Sequence, residues 1–198
     1  MELLVRGTLL FIYDLNGLYR VEGISKTCGG GEYELMMLWE KFSFNELYIL
    51  MMAVFAYTAV FVFPKQLPRG VAIFFLIWGF ASSTLFDFSI GGGLFDFYKV
   101  NDSDKYELFD LIAYFLFAPF SYFFVYFYKL LKINRKYYIP YILGWTILGL
   151  TMEKVSSLVG VTQYQGGYKI YFSVIVFLTV QTTTALYYEL IRKKLPNL

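Results

Sequence analysis

Long apolar runs separated by short clusters of charged residues are the dominant pattern along this chain. The runs are about 20 residues long, which is the length at which an α-helix crosses the hydrocarbon core of a bilayer. They predict an all-α fold, a polytopic integral membrane helix bundle. The five predicted transmembrane helices cover 47–63, 70–87, 108–130, 138–159 and 168–191.

Proline and glycine residues punctuate these runs. The first run ends at Pro64, and the second ends at Asp87 and the glycine triplet 91–93. The third run contains Pro119, which has no backbone N–H and therefore frees one backbone carbonyl within the helix. We expect this residue to kink the third helix.

The first 45 residues are amphipathic rather than continuously apolar. Arg6 and Asp14 interrupt the run at 3–19, which favours an interfacial helix over a sixth span. A glycine-rich joint at 25–32 precedes a second amphipathic piece at 33–42. The expected organisation is an extracytoplasmic N-terminal segment at 1–45, a transmembrane domain at 46–192 and a basic tail at 193–198.

Composition supports a membrane protein and excludes several kinds of chemistry. Hydrophobic residues make up 58% of the chain and charged residues 16%, whereas soluble domains carry about 25% charged residues. There is no histidine, and Cys28 is the single cysteine, so zinc, haem and histidine-based catalysis lose their usual ligands and bases. We expect no cofactor and no nucleic-acid partner.

Loop charges predict the orientation of the bundle. Lys and Arg are enriched in short cytoplasmic loops of membrane proteins. Here they follow the first, third and fifth runs: Lys65, Arg69, Lys129, Lys132, Arg135, Lys136, Arg192, Lys193 and Lys194. The loop after the second run is instead acidic, with Asp96, Asp102, Asp104 and Glu107. The C-terminus is therefore expected to be cytoplasmic, with the N-terminal segment on the outer side.

Three carboxylates fall near the outer ends of predicted helices, on stripes of small and polar residues. At helical spacing, Asp87 aligns with Ser83 and Gly79, Asp110 with Tyr114, Ala118 and Ser121, and Glu153 with Gly149 and Ser156. Small residues let helices approach closely, and acids seldom face lipid. These stripes are therefore expected to face protein.

If the stripes converge, then Asp87, Asp110 and Glu153 form an outward-facing site for a proton or a cation, because carboxylates held together in a dry place cannot all ionise cheaply. Asp96, Tyr114 and Gln181 are supporting candidates, and no metal is specified. The alternative is that each acid caps its helix at the interface. Gln181 is also expected to act as an interhelical hydrogen-bond donor.

Two further expectations concern Lys154 and residues 94–106. Lys154 lies beside Glu153 but on another side of the helix, so its long stem is expected to reach the headgroups. Residues 94–106 are expected to form a partly ordered outer segment along the membrane surface. Phe95, Phe97 and Tyr98 would insert between acids that stay hydrated.

The order of several single residues between about 45 and 190 resembles an uncharacterised family of small polytopic inner-membrane proteins of endospore-forming bacteria. The pattern consists of Asp87, Asp96, Tyr98, Asp110, Pro119, Trp145, Thr146, Glu153, Tyr164, Gly167, Tyr168, Tyr171 and Ser173. This chain has Gly167-Tyr168 where that family tends to have Gly-Trp. The resemblance implies an inner-membrane location and makes the outer acids a family feature, but it implies no known activity.

Two hypotheses for function stay open at this stage. The first is a transport or ion-responsive protein with an outward-facing carboxylate site. The second is a non-catalytic structural or accessory subunit that binds a protein partner or another copy of itself within the bilayer. A lipid-modifying enzyme is third, because carboxylates alone can act as acid and base but no nucleophile or metal cluster accompanies them.

Overall fold

A computed structural model describes residues 43–91, 97–100 and 108–195. Five helices, each long and apolar enough to cross a membrane, make the protein a polytopic membrane helix bundle, as predicted. They are α1 (Phe44–Val62), α2 (Arg69–Ile90), α3 (Leu108–Leu130), α4 (Tyr138–Val159) and α5 (Ile170–Lys194). Two short strands, β1 (Tyr98–Val100) and β2 (Thr162–Tyr164), lie between helices. The predicted N-terminal interfacial helix and Asp96 lie outside the described residues.

Helix α3 is the central helix of the bundle. More than half of its apolar window, 56%, is buried, whereas no other helix exceeds 28%. The other helices expose large apolar side chains such as Phe55, Ile147 and Ile175. An apolar outer surface around a buried central helix is what a lipid environment requires, because lipid tails solvate such side chains and water does not.

Two glycines allow neighbouring helices to pack closely. A Cβ atom at Gly79 of α2 would lie 2.5 Å from the carbonyl oxygen of Phe117 and 2.8 Å from the Cβ of Ser121 on α3. At Gly149 of α4, a Cβ would lie 2.7 Å from the ring of Phe177 on α5. Both glycines belong to the predicted small-residue stripes, so these stripes do face protein.

Helix α3 continues through Pro119 because a neighbouring helix compensates for the missing N–H. The carbonyl that loses its donor is that of Phe115, four residues earlier. The hydroxyl of Tyr57 on α1 donates a hydrogen bond to this oxygen at 2.9 Å. The expected free carbonyl is thus satisfied from α1, as transmembrane helices with internal prolines generally require.

Helix α4 ends in a turn that reverses the chain. Gly160 adopts φ = 91°, a left-handed conformation that glycine reaches without steric cost. Its N–H donates to the Ser157 carbonyl at 3.3 Å, and the Val161 N–H donates to the Ser156 carbonyl at 2.9 Å, the arrangement of a Schellman cap. The turn directs β2 back toward the end of α4.

The strand pair next to the end of α4 is a feature that the sequence analysis missed. β1 and β2 pair antiparallel, with Tyr98 opposite Tyr164. The Gln165 N–H extends the pairing by donating to the Phe97 carbonyl at 2.8 Å. The ring of Phe97 stacks on that of Tyr168 with centroids 5.7 Å apart. One face of Phe97 therefore packs on the protein, and the insertion of this residue into the membrane surface stays a prediction.

Candidate functional site

A cavity of about 350 Å³ lies within the bundle and is lined by residues from all five helices. Asp87 of α2 and Glu153 of α4 both line it. Asp110 is not among the described residues that line the cavity. The structure therefore brings two of the three predicted acids to one cavity, together with the supporting residues Tyr114 and Gln181.

Asp87 lies in the last turn of α2 and is only 5% exposed. The C-terminal end of a helix carries partial negative charge, so an anion there needs a compensating donor. The hydroxyl of Tyr114 on α3 supplies one, at 2.5 Å from Oδ2 of Asp87. This bond crosses the interface between the two stripes that the sequence analysis identified.

Glu153 is the acceptor for a chain of hydroxyl groups. Its Oε1 receives hydrogen bonds from the Tyr164 hydroxyl at 2.8 Å and from the Ser173 hydroxyl at 2.7 Å. The hydroxyls of Ser173 and Tyr168 are 2.9 Å apart. Since Ser173 uses its single proton toward Glu153, Tyr168 must be the donor in that pair. Residues from α4, β2 and α5 are thereby joined at one carboxylate.

Tyr164 and Tyr168, the two tyrosines in this series of hydroxyl groups, remain hydrogen-bond donors at neutral pH. Burial raises the pKa of Tyr164 above its ordinary value, and the hydrogen bond to Glu153 raises it further. Burial also raises the pKa of Tyr168, with a smaller contribution from the negative charge of Glu153. Both phenols are therefore neutral hydrogen-bond donors around the carboxylate, and neither is a competing anion.

The neighbouring residues Glu153 and Lys154 have different surroundings, as predicted. Glu153 is half-buried and borders the cavity, whereas Lys154 is exposed on the bundle surface. Successive helix positions differ by about 100° around the axis, which separates the two side chains. Lys154 therefore does not lie in the cavity as an ion-pair partner of Glu153.

Asp110 and Glu46 are two further buried acids, in the first turns of α3 and α1. Asp110 lies in the first turn of α3, where the helix dipole favours a negative charge, so its position fits the capping alternative. Glu46, fully buried, was missed as a candidate. Its carboxylate accepts the Ser43 N–H at 2.6 Å, and the pattern Ser43-x-x-Glu46 is the signature that could have revealed it.

The inner part of the cavity contains neutral polar groups. The Ser121 Oγ is buried and has no hydrogen-bond partner among the described residues. Gln181 is 2% exposed and also lines the cavity. The indole Nε1 of Trp78 links α2 to α5 by donating a hydrogen bond to Thr184 Oγ1 at 2.8 Å, and the interhelical bond expected from Gln181 stays a prediction.

The lining residues define what chemistry the cavity supports. No Lys or Arg lines it within the described part of the chain. Nor do the described residues contain a group of three or more acid or cysteine side chains that could hold a metal ion. Two carboxylates surrounded by hydroxyl and amide groups suit a proton or a positively charged ligand.

Tyr164, Tyr168 and Ser173 were not proposed as site residues, although the structure joins all three to Glu153. Their spacing from Glu153 gives no signal, because the contacts depend on the turn at Gly160 and on the strand pair. They do appear in the pattern of residues that carries the family resemblance.

Comparison with models of known protein families, with curated proteins and with solved structures finds no match to this chain. The class of protein is therefore defined by the fold alone, as an integral membrane protein with five membrane-spanning helices among the described residues.

Proposed function

We propose that this protein binds a proton or a cation at an outward-facing site formed by Asp87 and Glu153, and that it acts in transport or in a response to ions. The observation that supports the proposal is that these two acids, from different helices, line one cavity. Ionisable residues within membrane spans are costly, and they commonly mark ion or substrate paths.

The proposal includes a location in a bacterial cytoplasmic membrane, with the C-terminus in the cytoplasm. The family resemblance supports the location. The orientation rests on basic residues that follow α1 and α3 or lie in the last turn of α5, including the exposed Lys65, Arg135 and Arg192. In this orientation the carboxylate end of the cavity is nearer the outer surface.

A structural or accessory role is the second candidate, and one observation favours it. Both cavity acids already accept hydrogen bonds within the protein, Asp87 from Tyr114 and Glu153 from Tyr164 and Ser173. In this role the bonds are purely structural. The Asp87 bond holds α2 against α3, and the Glu153 bonds hold β2 and α5 against α4. In that case the acids orient helices, and the protein acts through a partner or a second copy.

Replacing Glu153 by Gln separates the two candidates. Gln keeps an acceptor oxygen for Tyr164 and Ser173 but cannot bind a proton or carry charge. We expect Glu153→Gln to abolish the flux of protons or Na⁺ into reconstituted vesicles if the protein transports them. If the protein only responds to these ions, the thermal unfolding midpoint of Glu153→Gln should no longer depend on them. The variant should still insert and fold.

Lys154→Gln is the matched control, because it changes a charge at the adjacent but exposed position. It should behave as the wild-type protein does, since an exposed ammonium near the headgroups contributes little. Equal ion responses in wild type and Glu153→Gln, or none in either, would support the structural role instead.

A further inference from the structure

We propose that the ligand of this cavity is a small organic cation, an ammonium group carried on an apolar body, rather than a bare metal ion. This inference rests on the proposed function and specifies the ligand class of the same site. Three features of the cavity support it: its volume, the combination of its charge with aromatic walls, and the position of its neutral polar groups.

The first feature is size. A cavity of about 350 Å³ is far larger than the roughly 30 Å³ that one water molecule occupies in the liquid. It falls within the range of about 300–1,000 Å³ that is typical of sites for small organic molecules. A bare ion would leave most of this volume unfilled.

The second feature is the combination of charge and aromatic walls. Asp87 and Glu153 are the acids on the cavity, and no Lys or Arg lines it within the described residues. The rings of Phe86, Phe120 and Phe177 lie on the walls. Aromatic faces attract ammonium groups, and more strongly where water is excluded. Rings contribute little to the binding of a small hydrated metal ion, which prefers oxygen ligands.

The third feature is the position of the neutral polar groups. Gln181 lies eleven residues into α5, about 16 Å along the helix from its outer end. Asp87, in contrast, is in the last turn at the outer end of α2. Ser121, whose buried hydroxyl has no hydrogen-bond partner among the described residues, also lines the cavity. The arrangement fits a ligand with its ammonium near the outer carboxylates and a hydrogen-bonding group further in.

Two sources could supply this ammonium group: a free amine or the headgroup of a lipid. The test uses the full-length protein in nanodiscs made of phosphatidylglycerol, with tryptamine and choline as free cations and NaCl and MgCl₂ as inorganic ones. The readouts are equilibrium dialysis of labelled tryptamine and the thermal unfolding midpoint, which rises when a ligand binds the folded state. A second set of nanodiscs contains phosphatidylethanolamine.

The inference predicts saturable tryptamine or choline binding that weakens about tenfold or more in Glu153→Gln, as for a lost charged partner. Ser121→Ala should weaken it less, about fivefold, because it removes one neutral hydrogen bond. Alanine is chosen because it keeps the Cβ of Ser121 that packs against Gly79 and removes only the hydroxyl group. Lys154→Gln should bind as the wild type does. If phosphatidylethanolamine suppresses amine binding, the lipid headgroup is the source.

The outcomes distinguish this inference from the proposed function. A Glu153-dependent response to Na⁺ or to pH, without any to the organic cations, would overturn the inference and leave the proposed function standing. If the wild-type protein and its variants fold normally but respond to no cation and to no change of pH, both the inference and the proposed function are overturned. Amine binding that is unchanged in Glu153→Gln and in Asp87→Asn would show that the amines bind elsewhere, and would also overturn the inference.

Discussion

At the scale of single residues, the protein satisfies polar groups inside the bundle mainly with neutral hydroxyls. Tyrosine supplies several of the bonds between helices or strands: Tyr57 and Tyr141 bond to backbone carbonyls, Tyr114 to Asp87 and Tyr164 to Glu153. A tyrosine brings an apolar ring and a polar tip, so it can occupy a helix interface and still reach a distant acceptor. The 19 tyrosines of the chain are therefore more than an interfacial belt.

Tyr57 provides a test of this role. Tyr57→Phe keeps the ring but leaves the Phe115 carbonyl without the donor that replaces the missing N–H of Pro119. We expect the free energy of unfolding to fall by about 1 kcal/mol, the usual size of one hydrogen bond between membrane helices. Thermal or chemical unfolding in detergent micelles measures the change.

The control for this substitution is Tyr171→Phe, at an exposed position near the start of α5. It makes the same chemical change without removing an interhelical bond and should leave stability unaltered. Equal effects of the two substitutions would mean that Tyr57 does not compensate for Pro119.

At the scale of secondary structure, the sequence specifies the helices well and the strands poorly. Helices α3 and α4 have the bounds that the apolar runs indicate, because continuous hydrophobicity bounded by charge and glycine is a strong signal. The strands are three residues each, and β1 pairs with a segment more than 60 positions away. No local periodicity reports such a pairing.

The same distinction holds for the candidate site. Asp87, Tyr114 and Glu153 could be found because helical spacing places polar residues on one face. The partners of Glu153 could not, since Tyr164 reaches it only through the reversal of the chain at Gly160. Asp110 shares the spacing pattern of Asp87 but does not border the cavity, because spacing gives the face of a helix and not its neighbours.

Gly160 should therefore control the geometry of the site. Gly160→Ala places a side chain at φ = 91°, a conformation that costs roughly 1 kcal/mol or more for a residue with a Cβ. We expect a corresponding loss of stability and a weaker Tyr164–Glu153 contact. Unfolding experiments and the accessibility of Tyr164 to chemical modification would report the two effects.

Gly144→Ala is the control within the same helix. Gly144 lies in the interior of α4, and a Cβ there would meet no atom within 4 Å. Alanine should thus be neutral or slightly stabilising at this position. Equal destabilisation by the two substitutions would contradict the claim that the turn at Gly160 controls the geometry of the site.

At the scale of the whole molecule, charge and burial divide the bundle into two ends. One end contains the exposed basic residues that follow α1 and α3 and those in the last turn of α5. The other contains the strand pair and the buried acids Asp87 and Asp110. The proposed orientation places the acidic end outside the cytoplasm.

Single cysteines test this orientation in intact cells after Cys28 has been replaced by serine. Lys169→Cys lies at the exposed start of α5, and Arg135→Cys lies in the exposed connection between α3 and α4. A membrane-impermeant thiol reagent added outside should label the first and not the second. The opposite pattern would reverse the orientation and place the cavity acids toward the cytoplasm.

The central claim is that Asp87 and Glu153 form one site that responds to a bound cation or proton. Infrared difference spectroscopy of the purified protein observes this directly, because carboxylate and carboxylic acid groups absorb separately. Adding the cation or changing the pH should alter bands that disappear in Glu153→Gln, and Asp87→Asn should shift the remaining Glu153 band. Difference spectra that contain no carboxyl band sensitive to either substitution would contradict the claim.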